Sequence, residues 1–401
     1  MATDRIQRLA ELIVDFGANV QEGQVVSVAA YVGGHEELAR AVAGAAYRRG
    51  ARFVDVAWFD PFVKRERIAH ALEDTLDFVP SWYSHRLEQL GEQRAARISF
   101  SGNVAPHAMD GLDPERAGRD QLPFQKEVPQ LVSARTTNWC AAPCPTPAWG
   151  ELVFPELPSD EAYERLWQQL EHVLRLDEPD PVEAWRQRMA TLKANAAAMS
   201  ERRFDAIHLE GPGTDLTVGL LPSSIFQAAD FETVDGLRHL PNLPTEEVFT
   251  TPDPARADGH VTATKPLVLR DGTIIRGLRV RFEGGRAVEI DADENGGALR
   301  SLSAMDDGAS RLGELALVDR GGRIGPLGTV FYDTLLDENA ASHIALGNGF
   351  AFAVGDESDL ERVNTSATHV DFMIGSPELE VTGITRDGER VPVLRAGDWQ
   401  L

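Results

Sequence analysis

Val25-Val26-Ser27-Val28-Ala29-Ala30, a helical pattern from about His35 to Arg49, and then Phe53-Val54-Asp55-Val56-Ala57-Trp58 decide the fold of the first half of this chain. Two short apolar runs separated by a helix that Gly50 stops make a strand, helix, strand unit. Such a unit predicts parallel pairing with a right-handed crossover. Upstream, Ile6, Leu9, Leu12, Ile13 and Phe16 recur at helical spacing, and Gly17 is placed to end that helix. Downstream, helical patterns near 62–75 and 79–93 and an apolar strand at Arg97-Ile98-Ser99-Phe100 extend the layer. The first part therefore reads as an α/β domain built on a parallel sheet.

Gly33-Gly34 follows the first strand and invites a dinucleotide reading, but the G-x-G-x-x-G spacing is missing and no acid ends the second strand in the usual way. Residues 136–158 hold five prolines and two tryptophans, which predicts irregular backbone, as a packed connector or one wall of a cleft. Helical patterns follow at about 160–175 and 181–202. After Arg203 the texture changes to strands with tight turns, as in Ala206-Ile207-His208-Leu209, Asp215-Leu216-Thr217-Val218 and Leu278-Arg279-Val280-Arg281-Phe282. The expected organisation is thus an α/β domain over 1–200 and an α+β domain over 201–401. Gly211-Pro212-Gly213-Thr214-Asp215 resembles a phosphate loop only superficially: it lies between two strands, with no helix N-terminus behind it, and reads as a hairpin turn.

The bulk composition narrows the function classes. With 401 residues, 43% of them hydrophobic and 25% charged, the chain is long enough for two domains with sizeable cores. A net charge of −24 argues against nonspecific nucleic-acid binding, because most of the surface repels phosphate. No apolar run approaches the ~20 residues that span a bilayer, and no apolar h-region follows the N-terminal charges, so a soluble, cytoplasmic protein without a membrane partner is expected. The only cysteines, Cys140 and Cys144, offer no disulfide framework and read as ordinary thiols. Four lysines, Lys64, Lys126, Lys193 and Lys265, leave few candidates for Schiff-base chemistry.

Chemistry concentrates in four stretches of the second half. In Pro244-Thr245-Glu246-Glu247-Val248-Phe249-Thr250, paired carboxylates precede a strand-like run, and neighbouring strand residues face opposite sides. Arg311-Leu312-Gly313-Glu314-Leu315-Ala316-Leu317-Val318 places one acid inside an apolar run, where burying it costs several kcal/mol unless a cation, proton or metal compensates. Thr329 to Gly347 reads as a short strand, an acidic turn and an Ala-rich helix that carries His343 near its middle. In Thr368-His369-Val370-Asp371-Phe372-Met373, a strand would put His369 and Asp371 on one face. Two glutamates, two histidines and an aspartate form a donor set that suits zinc, manganese or cobalt. Two divalent ions ~3.5–4 Å apart need about that many ligands.

These motifs resemble those of the aminopeptidase T and aminopeptidase S family of dinuclear-metal exopeptidases. The resemblance rests on Pro-Thr-Glu-Glu-Val-Phe-Thr at 244–250, Arg-Leu-Gly-Glu at 311–314, Asp-Glu-Asn-Ala-Ala-Ser-His at 337–343 and His-Val-Asp-Phe-Met-Ile-Gly at 369–375. Gly-Pro-Gly-Thr-Asp-Leu-Thr-Val-Gly-Leu at 211–220 and the Thr-Asn-Trp stretch at 137–139 extend it over nearly the whole chain. It implies Glu247, Glu314, His343, His369 and Asp371 as ligands of two divalent ions, with Glu246 just behind them; Glu246 and Glu314 are the two candidates for the proton-carrying acid. It also implies a cytoplasmic homodimer that removes N-terminal residues from peptides with a free N-terminus through a metal-activated water. One position departs: where the family usually has a tyrosine seven residues after the first histidine, this chain has Phe350, a substrate-contact candidate lacking the phenol donor. The alternatives are a mononuclear-iron ring-cleaving dioxygenase similar to this family, which dispenses with the Glu ligands, and a weakly active or non-catalytic metal-binding homologue.

Overall fold

The computed structural model describes residues 2–120, 122–123, 127–269 and 272–401, and the chain folds into two compact units. The first comprises 1–186 together with 230–245, and the second 187–229 together with 246–401. The division falls inside the helix Pro181–Arg202, which also contains position 200.

In the first unit the strand, helix, strand reading is realised as β1 (Val25–Tyr31), the helix Glu36–Arg48 and β2 (Phe53–Phe59). Together with β3 (Ala96–Ser101) and β4 (Trp139–Pro143) these strands form a parallel sheet in the order β2-β1-β3-β4. Val26, Val28 and Ile98 are buried in its middle, as parallel sheets covered on both faces require. The backbone N–H groups of Gly33 and Gly34, which a phosphate would need, both donate to the Glu36 carboxylate at 2.7 and 2.8 Å.

Residues 136–158 correct the expectation of irregular backbone, because they contain β4 and the helix Pro147–Val153. The prolines sit where they do no harm. Pro143 ends the strand, and Pro147 occupies the first helical turn behind Thr146, whose hydroxyl accepts from Trp149 N at 3.1 Å.

The second unit is antiparallel. Five strands, β5 (Gln227–Ala228), β6 (Glu247–Thr250), β7 (Leu312–Val318), β8 (His343–Gly347) and β9 (His369–Met373), pair in the order β9-β8-β7-β6-β5. Eight further strands form a second antiparallel sheet that runs from Arg286–Asp291 at one edge to Asp398–Trp399 at the other. In that sheet Gly211 pairs with Thr214 across a hairpin, in agreement with the turn reading. Val248, Leu315, Leu317, Ile344, Leu346 and Phe372 from the five-stranded sheet join Leu209, Val218, Val261, Val280 and Val381 from the larger one, and Leu192 and Met199 from the helix, in one apolar cluster. Fully burying side chains of this kind is worth about 1.5–3 kcal/mol each. That core commits one face of the five-stranded sheet to packing and leaves the other for polar side chains. Among the described residues no helix is long and apolar enough to cross a membrane.

The stretch 329–347 corrects a second expectation. It holds no strand at its start, and its helix is only Thr334–Glu338, with the Asp333 carboxylate as N-cap accepting from Leu336 N. After Asn339 the chain turns and enters β8, so His343 opens a strand instead of lying inside a helix. Small residues suit a helix, but His343, Ala345 and Gly347 alternate with the core residues Ile344 and Leu346. That is the two-residue period of a strand.

Candidate metal centre

Strand alternation does most of the placing. On β9, Val370 and Phe372 pack toward the apolar cluster, so His369 and Asp371 project from the opposite face. On β8, Ile344 faces the core and His343 does not; on β6, Val248 faces the core while Glu247 and Phe249 turn away. Glu314 needs an additional device. Leu312 and Leu315 both belong to the core cluster, which a regular strand cannot arrange three residues apart. A bulge between Leu312 and Glu314 shifts the register, so Leu312 pairs with Leu346 and Glu314 with Ala345. The extra residue is Gly313, where a Cβ would lie 2.3 Å from the Asn348 carbonyl oxygen and 2.4 Å from that of Gly347. The bulge re-aims Glu314 onto the polar face.

Small side chains keep space among the acids. Ala345 lies opposite both Glu314 and Asp371, and Ala316 lies opposite both His343 and Phe249. The donor atoms of Glu247, Glu314 and His343 lie within 4.8 Å of one another, and so do those of Glu314, His369 and Asp371. Glu314 is common to both groups. The five residues expected to meet therefore do so, on four adjacent strands, and all but His369 are buried.

Both imidazoles are oriented from behind. His343 Nδ1 is 3.1 Å from the Ala341 carbonyl oxygen, and His369 Nδ1 is 2.8 Å from that of Asn348. A carbonyl only accepts, so each Nδ1 carries its proton and each Nε2 is turned toward carboxylates. His343 Nε2 is 3.1 Å from Glu247 Oε2, and His369 Nε2 is 3.2 Å from Glu314 Oε2 and 3.3 Å from Asp371 Oδ1. Glu247 Oε2 is buried and faces the imidazole across that distance.

The electrostatics agree with the geometry. Burial pushes the Glu314 carboxyl up to about 7, with Asp371 and Glu247 adding to it and His369 opposing. Burial alone lowers the His343 imidazole, but Glu247, Glu314 and Asp371 outweigh it and push the ring up to about 10. The His369 ring is raised for the same reason. This is a buried excess of negative charge with both imidazole Nε2 atoms aimed into it. A divalent cation satisfies such a set, and donors of this type fit one.

Sequence reasoning missed Glu338. The residue is half-buried, burial raises its carboxyl well above the usual range, and the charges of Asp371, Glu247, His343 and Glu314 all act on it. The available signal was the Asp337-Glu338-Asn339 turn just ahead of His343. Glu246 has a different setting from its neighbour: it is fully buried, and its carboxylate accepts from Arg188 Nε. Phe350 lies in the segment after β8, its ring centroid 5.2 Å from that of His369, stacked on Phe352 at 5.3 Å and edge-on to Phe249 at 5.6 Å.

Comparison with known proteins places the chain. Residues 2–399 match the thermophilic metalloprotease (M29) family. The chain is 43% identical to aminopeptidase T of Thermus aquaticus over 407 aligned positions, covering 100% of this chain and 99% of that protein. It is 38% identical to aminopeptidase PepS of Streptococcus thermophilus, covering 99% and 98%. The solved structure of wild-type AmpT from Thermus thermophilus superimposes with a TM-score of 0.91 at 40% identity, over 100% of both chains. With its parallel sheet, its antiparallel second unit and its full-length match, the chain belongs to the thermophilic metalloprotease (M29) family.

Proposed function

We propose that this protein is a metal-dependent aminopeptidase that releases N-terminal residues from peptides. The observation that carries the reading is the shared position of Glu314 in two overlapping donor groups, Glu247–Glu314–His343 and Glu314–His369–Asp371. Glu247, Glu314, His343, His369 and Asp371 would hold divalent ions such as zinc, cobalt or manganese, with Glu314 belonging to both groups. Glu247, Glu314 and Asp371 supply three carboxylates to these groups, offsetting most of the charge of two such ions when both histidines are neutral. Ions of this kind supply Lewis acidity, polarising a carbonyl and lowering the pKa of water.

The chain's own residues do the rest. Ala341 and Asn348 fix the imidazole tautomers through Nδ1, and this backing raises ligand basicity and holds ring orientation. Of the two acids expected to carry the proton from the attacking water to the leaving amine, Glu246 is engaged by Arg188, whereas Glu314 sits inside the donor cluster. Glu338, whose carboxyl is raised by burial and by the charges of the cluster, joins Glu314 as a candidate for that role. Phe350 and Phe352 form an apolar wall beside His369 against which a substrate side chain can pack.

The retention of Glu247 and Glu314 in one cluster with the histidines favours hydrolysis over the mononuclear-iron alternative, which dispenses with glutamate ligands. The two units fit the roles of an N-terminal α/β domain and a metal-bearing catalytic domain. A homodimer is supported by exposed apolar side chains concentrated in the first unit, where Tyr47, Phe53, Trp58, Phe62, Val63, Leu72, Phe78 and Trp82 all lie within 36 residues of chain. Free buried Cys140 and Cys144 fit a reducing, cytoplasmic setting. The test is metal content measured together with activity on aminoacyl amides and on the same peptides N-acetylated. Two zinc-like ions per chain with cleavage of unblocked substrates only is the expected result; equal cleavage of blocked peptides refutes the exopeptidase reading.

A further inference from the structure

Glu246, directly before the candidate ligand Glu247, is held at three points. Its backbone N–H donates to Asn339 Oδ1 at 2.6 Å, its carbonyl accepts from Arg188 Nη2 at 3.4 Å, and its carboxylate accepts from Arg188 Nε. Arg188 in turn forks onto Asp319, with Nη1 to Oδ2 at 3.1 Å and Nη2 to Oδ1 at 2.9 Å. Asp319 accepts a further bond from Trp399 Nε1 at 2.7 Å and another from Gly321 N–H at 2.7 Å. Glu246, Arg188 and Asp319 are all buried, and each lies in a separate part of the second unit.

Two carboxylates around one guanidinium leave a net negative charge in the interior, which is a costly way to pin a loop if packing alone were needed. Its geometric result is specific. Arg188 fixes both the backbone and the side chain of residue 246, so the direction in which β6 leaves that residue, and with it the carboxylate of Glu247, is set from outside the donor cluster. Asn339 ties the same residue to the turn that separates Glu338 from His343, and its Nδ2 donates to Leu335 O at 2.9 Å.

We propose that Trp399, Asp319 and Arg188 form a positioning chain that acts through Glu246 to hold Glu247 at the metal-binding distance from His343. None of the three belongs to the donor groups. The proposal rests on the metal-centre reading above and deepens it, assigning a role to an arginine, an aspartate and a tryptophan that the donor cluster does not include.

The experiment is Zn2+ affinity of the full chain, measured by competition against a chromophoric chelator, alongside the melting temperature of the metal-free protein. Arg188→Lys keeps the charge and loses the fork. It is expected to weaken Zn2+ binding by about 10-fold or more, the range seen when groups behind a ligand are lost. Trp399→Phe keeps the ring and removes one donor, and is expected to weaken binding in the same direction by less. A merely structural role lowers the metal-free melting temperature and leaves the affinity of the folded protein unchanged, and that result overturns the proposal. If Arg188→Lys does not fold, Trp399→Phe decides alone. Glu247→Gln is the control: if it binds Zn2+ like the parent, the metal-centre reading fails and this proposal with it. If it loses Zn2+ while Arg188→Lys and Trp399→Phe do not, only the positioning chain fails.

Discussion

His343 and His369 share a plan in which a backbone carbonyl holds Nδ1 and a carboxylate faces Nε2. His35 is arranged for the opposite end. Its Nδ1 accepts from Tyr31 N–H at 3.3 Å and its Nε2 is 3.1 Å from the Gly102 carbonyl oxygen, so the neutral ring with its proton on Nε2 satisfies both partners. Protonation would set two donors face to face, and burial lowers this ring to about 4 from an ordinary 6.5. Because the folded value is depressed, the stabilisation is complete above pH ~6.5 and is lost as the pH falls toward ~4. The loss is on the order of 3 kcal/mol over that window. Urea unfolding at pH 7 and pH 5 should show a drop in the parent protein that His35→Gln largely removes. At Phe350 the expected change is a gain. Introducing a phenol with Phe350→Tyr should raise kcat by about 100-fold or more at unchanged metal content, since one well-placed donor in such a site is worth ~2.7–4 kcal/mol. No change would mean that the ring serves packing alone.

At the scale of elements, the bulge in β7 is the decisive feature. Gly313→Ala would press a methyl group against the carbonyl oxygens of Asn348 and Gly347. Such crowding typically costs about 1–3 kcal/mol. Because the bulge aims Glu314, the substitution should also weaken metal binding, and denaturation together with metal titration checks both effects. Gly347 beside it has φ +109, and a Cβ there would lie 2.2 Å from the Thr368 carbonyl oxygen, so the turn out of β8 also depends on glycine. The strand β9 was legible in the sequence because His-Val-Asp-Phe-Met alternates cleanly. β8 was not, since His-Ile-Ala-Leu-Gly has only five residues and three preceding small or polar residues that suit a helix equally well. The tertiary pairing of Ala345 with both Glu314 and Asp371 settles it as a strand.

At the scale of the whole molecule, the two units divide the labour between a parallel sheet with few polar interior groups and an antiparallel sheet with one face loaded with acids. Metal should therefore stabilise the second unit selectively. With free metal at about 100 times its Kd, the stabilisation is about 2.7 kcal/mol. Removal by a chelator should lower the melting transition of that unit by several degrees, at roughly 2–4 °C per kcal/mol for a unit of this size. Calorimetry before and after chelation, with recovery on adding Zn2+, checks it. A transition indifferent to the chelator would count against a bound cation as the partner of those carboxylates.

By itself the sequence determined the α/β beginning and the strand-and-turn texture of the second half, because hydrophobic periodicity is a local property that survives without knowledge of the neighbours; the five candidate donors came from the resemblance of their motifs to a known family. Only the tertiary structure decided that His343 opens a strand, that a bulge at Gly313 turns Glu314 onto the polar face, and that Arg188 grips Glu246. Each of these depends on which distant backbone lies alongside, and a hydrogen-bond partner 58 or 131 residues away leaves no periodic trace in the chain.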